Sequence, residues 1–233
     1  MLQNLFTFGC SNTFGMALPD RGEQDLVIPE TFESVPEHTD TKTLHGSKFA
    51  WGQVLADRLD INCVNRGVVG AGIKETLWHF DRTYSVIKPK DIVCFLWPSL
   101  WRYNLLQETD IRDGRRWAND HYGIFAKENW FKIFNPYDSA FTTHAHIQYV
   151  HLLLKEMNVQ SCHMFSDEDD LNEIPDFYTD VNIITDTNFN KIRNVHGKTG
   201  LDNGNDMHGG VQTHEVIADV FYQQLITRVG AND

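Results

Sequence analysis

The chain has 233 residues, 41% hydrophobic and 22% charged, with a formal net charge of -12 and a pI of about 5.3. That length and composition suit one α/β domain with a sizeable core, and the acidity counts against a nucleic-acid or anionic-membrane partner. No apolar run approaches the ~18 residues of a membrane span, and the N-terminus has no basic flank or signal-type apolar block, so the sequence reads as soluble and retained where it is made.

Residues 2–8 read as a first strand that runs straight into the polar, glycine-flanked turn "FGCSNTFG", Phe8 to Gly15. Residues 16–46 form a polar loop too long for a simple connector, which implies a role in shaping a site or a partner surface. Ser47 is placed to cap a helix over 48–60, where Trp51, Leu55 and Leu59 form one buried stripe. A second strand follows over 61–67. A helix over 71–87 is stopped by Pro89. The run "DIVCFLW", 91–97, is apolar enough for a strand buried on both faces, and Pro98 ends it.

Residues 99–138 break this rhythm with nine aromatic residues: Trp101, Tyr103, Trp117, Tyr122, Phe125, Trp130, Phe131, Phe134 and Tyr137. So aromatic a segment reads as an insertion folded over one end of the sheet. A helix over 138–157, with Asp138 or Ser139 as its cap, leads to a strand over 159–165. The segment 166–209 is polar and irregular, apart from a short strand at "VNIIT", 181–185. The last helix spans 211–229, with Val216, Ile217, Val220, Phe221 and Leu225 on one face. Strand alternating with helix predicts a three-layer α/β/α sandwich around a mainly parallel sheet. One domain, 1–233, carries the insertion at about 99–138.

In such a fold the loops after the strands gather at one sheet edge. Four of them hold reactive or glycine-rich sequence: Gly9 to Gly15, Asn65 to Gly72, Trp97 to Arg102, and Asn205 to Gly210. In order and spacing these blocks resemble the SGNH (GDSL-like) hydrolases. That family's first block, Gly-Asp-Ser followed by Gly, corresponds to Gly9-Cys10-Ser11 and Gly15. Its Asn and oxyanion-hole Gly correspond to Asn65 and Gly70. Its acid and histidine ahead of the C-terminal helix correspond to Asp206 and His208. The third block is most similar to that of compact, often phage-borne members, which implies a cytoplasmic or virion-associated protein. Two positions depart from the pattern: Cys10 stands where the family has Asp, and Ser99 where it usually has an oxyanion-donating Asn.

The resemblance implies a flavodoxin-like SGNH fold and a serine esterase acting through an acyl-enzyme, with Ser11, His208 and Asp206 as triad. The oxyanion hole would be the amides of Ser11 and Gly70 and the Ser99 hydroxyl, with Asn12, Trp97 and Arg102 as candidate substrate contacts. The residue chemistry agrees. A serine hydroxyl needs a base to become a nucleophile, an imidazole titrates near neutrality, and a carboxylate behind it fixes the tautomer. The family's commonest spacing puts the acid at Asn205, so Asp206 and Asn205 both stay open as the partner of His208. Each residue also has a plainer reading: Ser11 or Asp206 as a turn cap, Gly70 as a chain reversal, Arg102 as a structural ion pair.

The substrate class implied is a small-molecule or carbohydrate ester, including an O-acetylated sugar. Two other functions stay open: an inactive binding or structural module that kept the fold, and a flavodoxin-like phosphate or flavin binder, which leaves "NDMHGG" unexplained. No cofactor or metal is implied. Cys10, Cys63, Cys94 and Cys162 form no CxxC pair. His144, His146 and His151 share a helix without a completing carboxylate and read as polar-face residues. His214 reads as structural. The run "SDEDD", 166–170, lacks the glycine and terminal glutamate of a calcium loop.

Overall fold

The computed structural model describes residues 3–16, 18–20, 46–68, 70–99, 103–108, 115–120, 136–167, 181–197 and 208–229, with only the backbone course of 103–108, 115–120, 136–139 and 228–229. In chain order the elements are β1 (Asn4–Gly9), α1 (Ser11–Phe14), α2 (Trp51–Leu59), β2 (Asn62–Gly67), α3 (Ile73–Tyr84), β3 (Ile92–Trp97), β4 (Tyr103–Glu108), β5 (Arg115–Asp120), α4 (Pro136–Glu156), β6 (Gln160–Phe165), α5 (Phe189–His196) and α6 (Val211–Val229). Four strands form one parallel sheet in the order β2-β1-β3-β6, while β4 and β5 pair antiparallel in a sheet of their own.

Every residue of β3 is buried, as its apolar run requires of a central strand. Alternation divides it between two cores. Ile92, Cys94 and Leu96 pack with Trp51 and Leu55 of α2, Phe189 and Ile192 of α5, and Ile217, Phe221 and Leu225 of α6. Val93, Phe95 and Trp97 pack with Ile73 and Phe80 of α3 and Ile147, Val150 and Leu154 of α4. Helices therefore cover both faces of the sheet. Trp51 stacks on Phe221 with ring centroids 4.6 Å apart, an aromatic pair that adds ~0.5–1.5 kcal/mol beyond its buried area. Asp91, buried ahead of β3, accepts the Asn4 N–H at 2.9 Å and the Lys88 N–H at 2.8 Å, so one carboxylate ties the starts of β1 and β3.

Several local expectations are corrected. Ser47 does not cap α2: its Oγ accepts from Phe49 N at 3.0 Å and its carbonyl from Ala50 N, closing a turn before the helix, whose N-cap is Ala50. Helix α4 begins at Pro136, so Asp138 and Ser139 lie in its first turn instead of capping it; proline suits the first helical position because its missing N–H has no intrahelical partner there. Within residues 99–138, read from the sequence as an insertion, β4 and β5 pair antiparallel, with Tyr103 opposite Asp120 and Glu108 opposite Arg115. Most of the 16–46 loop, and the aromatic side chains of the insertion, lie outside the described residues. The "VNIIT" segment makes a single bridge, His163 to Ile183, on the free edge of β6. Within the segment read as irregular, α5 is a helix whose N-cap Asn188 accepts from Lys191 N at 2.9 Å. His144 is 3% exposed, packed inward and not on a polar face.

No helix among the described residues is long and apolar enough to cross a membrane. No cluster of three or more metal-ligating side chains forms among them either. Cys10, Cys94 and Cys162 are buried, Cys63 is half-buried, and none of the four is in a disulfide.

Two histidines, His163 and His214, are fully buried, and burial is the first cause holding each at about 3; the neighbouring His151 and His208 respectively add to the effect. The unfolded chain takes up these protons near pH 6.5 while the native state does not. Stability is therefore complete above that pH and falls as the solution is acidified toward the folded values, by ~1.4 kcal/mol per pH unit for each ring. Urea midpoints should drop steadily between pH 7 and pH 5; a flat midpoint over that window would show that the rings accept protons in the native state.

Candidate active site

The chain leaves β1 for β2 on one side and later crosses to β3 on the other, so the strand order reverses at β1. A crevice forms at the carboxyl ends of the strands at such a point, and Ser11 lies two residues beyond Gly9, the last residue of β1. Helix α1 is a single turn. Thr13 N–H and Phe14 N–H donate to the Cys10 carbonyl at 2.9 and 3.0 Å, and Gly15 closes the turn in a left-handed conformation at φ 81°.

Three contacts fix that turn against the sheet. Asn65 of β2 donates from Nδ2 to the Thr13 carbonyl at 2.7 Å and accepts the Gly67 N–H at 2.8 Å. Gly67 lets α1 approach β2: a Cβ there would stand 2.4 Å from Phe14 N. Cys10 packs its thiol side with Val68 and Ala71 in a small apolar cluster. A thiol suits this cluster, where a carboxylate would be desolvated among apolar groups.

His208 approaches from the other end of the chain, its Nε2 2.9 Å from Ser11 Oγ across 197 positions. Its loop is tied to the sheet through a relay of short contacts. The Trp97 carbonyl, at the end of β3, accepts from Ser166 N at 3.1 Å and from Ser166 Oγ at 2.8 Å. The Ser166 carbonyl accepts from Asn190 N at 3.0 Å in α5. The Gly197 carbonyl, closing α5, accepts from Gly210 N at 3.1 Å and Thr213 Oγ1 at 2.6 Å, next to His208. Sequence reading missed this relay and the Asn65 clamp. Its signals were local: Asn188 capping an apolar i, i+3 pair, Phe189 and Ile192, and a glycine at each end of the gap between α5 and α6.

Gly70 follows β2 and adopts φ 79°; its loop is drawn to β1 by the Val68 N–H, which donates to the Gly9 carbonyl at 3.0 Å. Ser99 is half-buried two residues past β3. Ser11, Gly70 and Ser99 thus follow three adjacent strands at one sheet edge. Trp97 is not a substrate contact: its ring is fully buried, stacked on Phe95 at 4.6 Å, and its Nε1–H donates to His163 Nδ1 at 3.1 Å. Asn12 is 6% exposed, with Nδ2 turned back to Cys10 Sγ at 3.9 Å, so its side chain faces inward. Asp206, Asn205 and Arg102 lie outside the described residues.

No family model matches the chain, and no curated protein matches it. Solved structures do. A protein assigned to the G-D-S-L lipolytic family, from Desulfitobacterium hafniense DCB-2, aligns over 95% of this chain and 99% of its own, with TM-score 0.53 and 10% identity. The psychrotrophic esterase EstA from Pseudoalteromonas sp., in a structure inhibited by monoethylphosphonate, aligns over 98% and 99%, with TM-score 0.52 and 11% identity. The chain has the SGNH/GDSL hydrolase fold, a parallel sheet between helical layers.

Proposed function

We propose that this protein is a serine esterase, a single SGNH-type unit that removes a small acyl group from an alcohol or sugar through an acyl-enzyme intermediate. The observation that carries the reading is the 2.9 Å approach of His208 Nε2 to Ser11 Oγ. On a fold shared with esterases, it pairs a base with a serine placed at the strand reversal.

In the proposed reaction, Ser11 Oγ attacks the ester carbonyl carbon while its proton passes to His208 Nε2. The carbonyl oxygen becomes an oxyanion that accepts hydrogen bonds from the Ser11 and Gly70 amides and the Ser99 hydroxyl. Collapse expels the alkoxide, which takes the proton from His208 and leaves acyl-Ser11. Water then attacks the acyl carbon with His208 again as base, releasing the carboxylic acid and restoring the hydroxyl. Asp206 orients the imidazole and stabilises its charged form.

A screen of p-nitrophenyl esters of increasing chain length, run beside Ser11→Ala, tests the reading. Hydrolysis should favour short acyl chains and vanish in the variant; equal rates for both proteins would refute it. The serine at position 99 keeps a second reading in view, a fold-retaining binding module with a weakened oxyanion site. Ser99→Ala separates the two. If the hydroxyl donates in the transition state, its loss should cost ~10²–10³ in kcat with KM little changed. Unchanged turnover would remove Ser99 from the oxyanion hole.

A further inference from the structure

A second histidine, His214, stands six residues after His208 and has no part in the chemistry above. Its ring is fully buried. Nδ1 accepts the Trp51 N–H at 3.0 Å across 163 positions. Trp51 opens α2, and Ala50, the N-cap, makes no side-chain cap hydrogen bond. The first amides of a helix need partners from outside it, and here α6 supplies one. Acceptance at Nδ1 leaves the proton of a neutral imidazole on Nε2.

The same residue stands in the first turn of α6, which begins three residues after His208. Burial first, and His208 next, disfavour the charged form of the ring. Gly209 is the residue after His208, and it is closely packed: a Cβ there would stand 2.6 Å from Thr213 Cγ2 and 3.3 Å from Phe189 Cε2. One buried imidazole therefore joins the start of α2 to the first turn of α6, while the neighbouring Thr213 holds the Gly197 carbonyl.

We propose that His214 is a positioning residue: it pins the first turn of α6 to the first turn of α2 and so fixes where the His208 ring stands relative to Ser11. Its effect on rate rests on the esterase reading; its effect on the His208–Ser11 contact does not. A misplacement of ~1 Å in a catalytic group can cost ~10²-fold in rate, so a lost anchor should appear in kcat more than in KM.

The test compares His214→Asn, whose Oδ1 stands near the position of Nδ1 and keeps an acceptor, with His214→Leu, which keeps volume and loses it. Two readouts apply: p-nitrophenyl acetate kinetics, and nitrogen NMR of labelled histidine with Ser11→Ala as the reference for a broken His208–Ser11 contact. His214→Leu should lower kcat by ~10–10² with KM little changed and move the His208 resonances toward the Ser11→Ala positions. His214→Asn should retain most of both. Wild-type kcat and wild-type His208 resonances in His214→Leu would overturn the proposal, as would equal losses in both variants. If wild type hydrolyses nothing, the esterase reading fails while the NMR comparison still decides the role of His214. Should His214→Leu not fold, His214→Gln takes its place, since its polar atoms sit near Nε2 and leave the Trp51 amide unmet; wild-type resonances in that variant contradict the proposal.

Discussion

Ser11→Ala should lower kcat on a short-chain p-nitrophenyl ester by ~10⁶, and His208→Ala by a similar factor. The reason is that the hydroxyl and the imidazole act as one unit. Without the base the hydroxyl stays protonated and unreactive; without the hydroxyl the base has no nucleophile of its own to activate. The double variant should therefore be no slower than either single one, because effects within such a unit do not add. The fold should survive both changes. Ser11 Oγ faces His208 Nε2 at 2.9 Å, whereas α1 is held by backbone contacts and by Asn65, which neither variant touches. Melting temperatures near wild type alongside lost turnover are the expected pair. Turnover within tenfold of wild type in Ser11→Ala would mean that another group attacks the ester.

The acid gives the second large effect. Asp206→Asn should lower kcat by ~10⁴, the size seen when an asparagine replaces the acid of a serine-protease triad. Asn205→Ala should do much less. The two positions differ in charge: a carboxylate stabilises the imidazolium formed as the Ser11 proton moves, whereas an amide can only orient the ring. Residues two apart would point to the same side if the chain between them is extended, which is what the choice of Asp206 over the family's usual position, Asn205, supposes. Both variants should melt near wild type. If Asn205→Ala proves the more damaging change, the partner of His208 is an amide and the enzyme is intrinsically slow.

Much of the architecture was legible because the strongest patterns were long. Helix α6 occupies the predicted 211–229, its face marked by Ile217, Phe221 and Leu225 after two glycines. β3 was legible as an unbroken apolar run. The meeting of Ser11 and His208 was expected from loops sharing one sheet edge, although His208 in fact follows α5 and reaches the edge through it. Short elements were harder. α5 has eight residues inside a polar segment, and its apolar signal is little more than Phe189 and Ile192. The β4–β5 pair was hard to read because YNLLQE and RRWAND show little apolar alternation and lie in a segment marked instead by its aromatic residues.

Two misread side chains had been readable by period. Trp97 lies two residues past Phe95 and four past Val93, so it shares their face of β3 and enters the α3–α4 core instead of the crevice. His144 stands four residues after Ala140 and three before Ile147, squarely on the buried stripe of α4. The clamps around the site, Asn65 on Thr13 and His214 on Trp51, join residues 52 and 163 positions apart. Contacts at that range have no local pattern, and only the folded chain reveals them.

The central claim is that Ser11 is a nucleophile activated by His208, and covalent trapping tests it most directly. The wild-type protein should be incubated with a fluorophosphonate at neutral pH and its mass measured before and after digestion. The account predicts one adduct per chain, on the peptide carrying Ser11, with no labelling in Ser11→Ala and strongly slowed labelling in His208→Ala. A wild-type protein that stays unlabelled while a control serine hydrolase reacts to completion, or an adduct on Ser99 instead of Ser11, would contradict it.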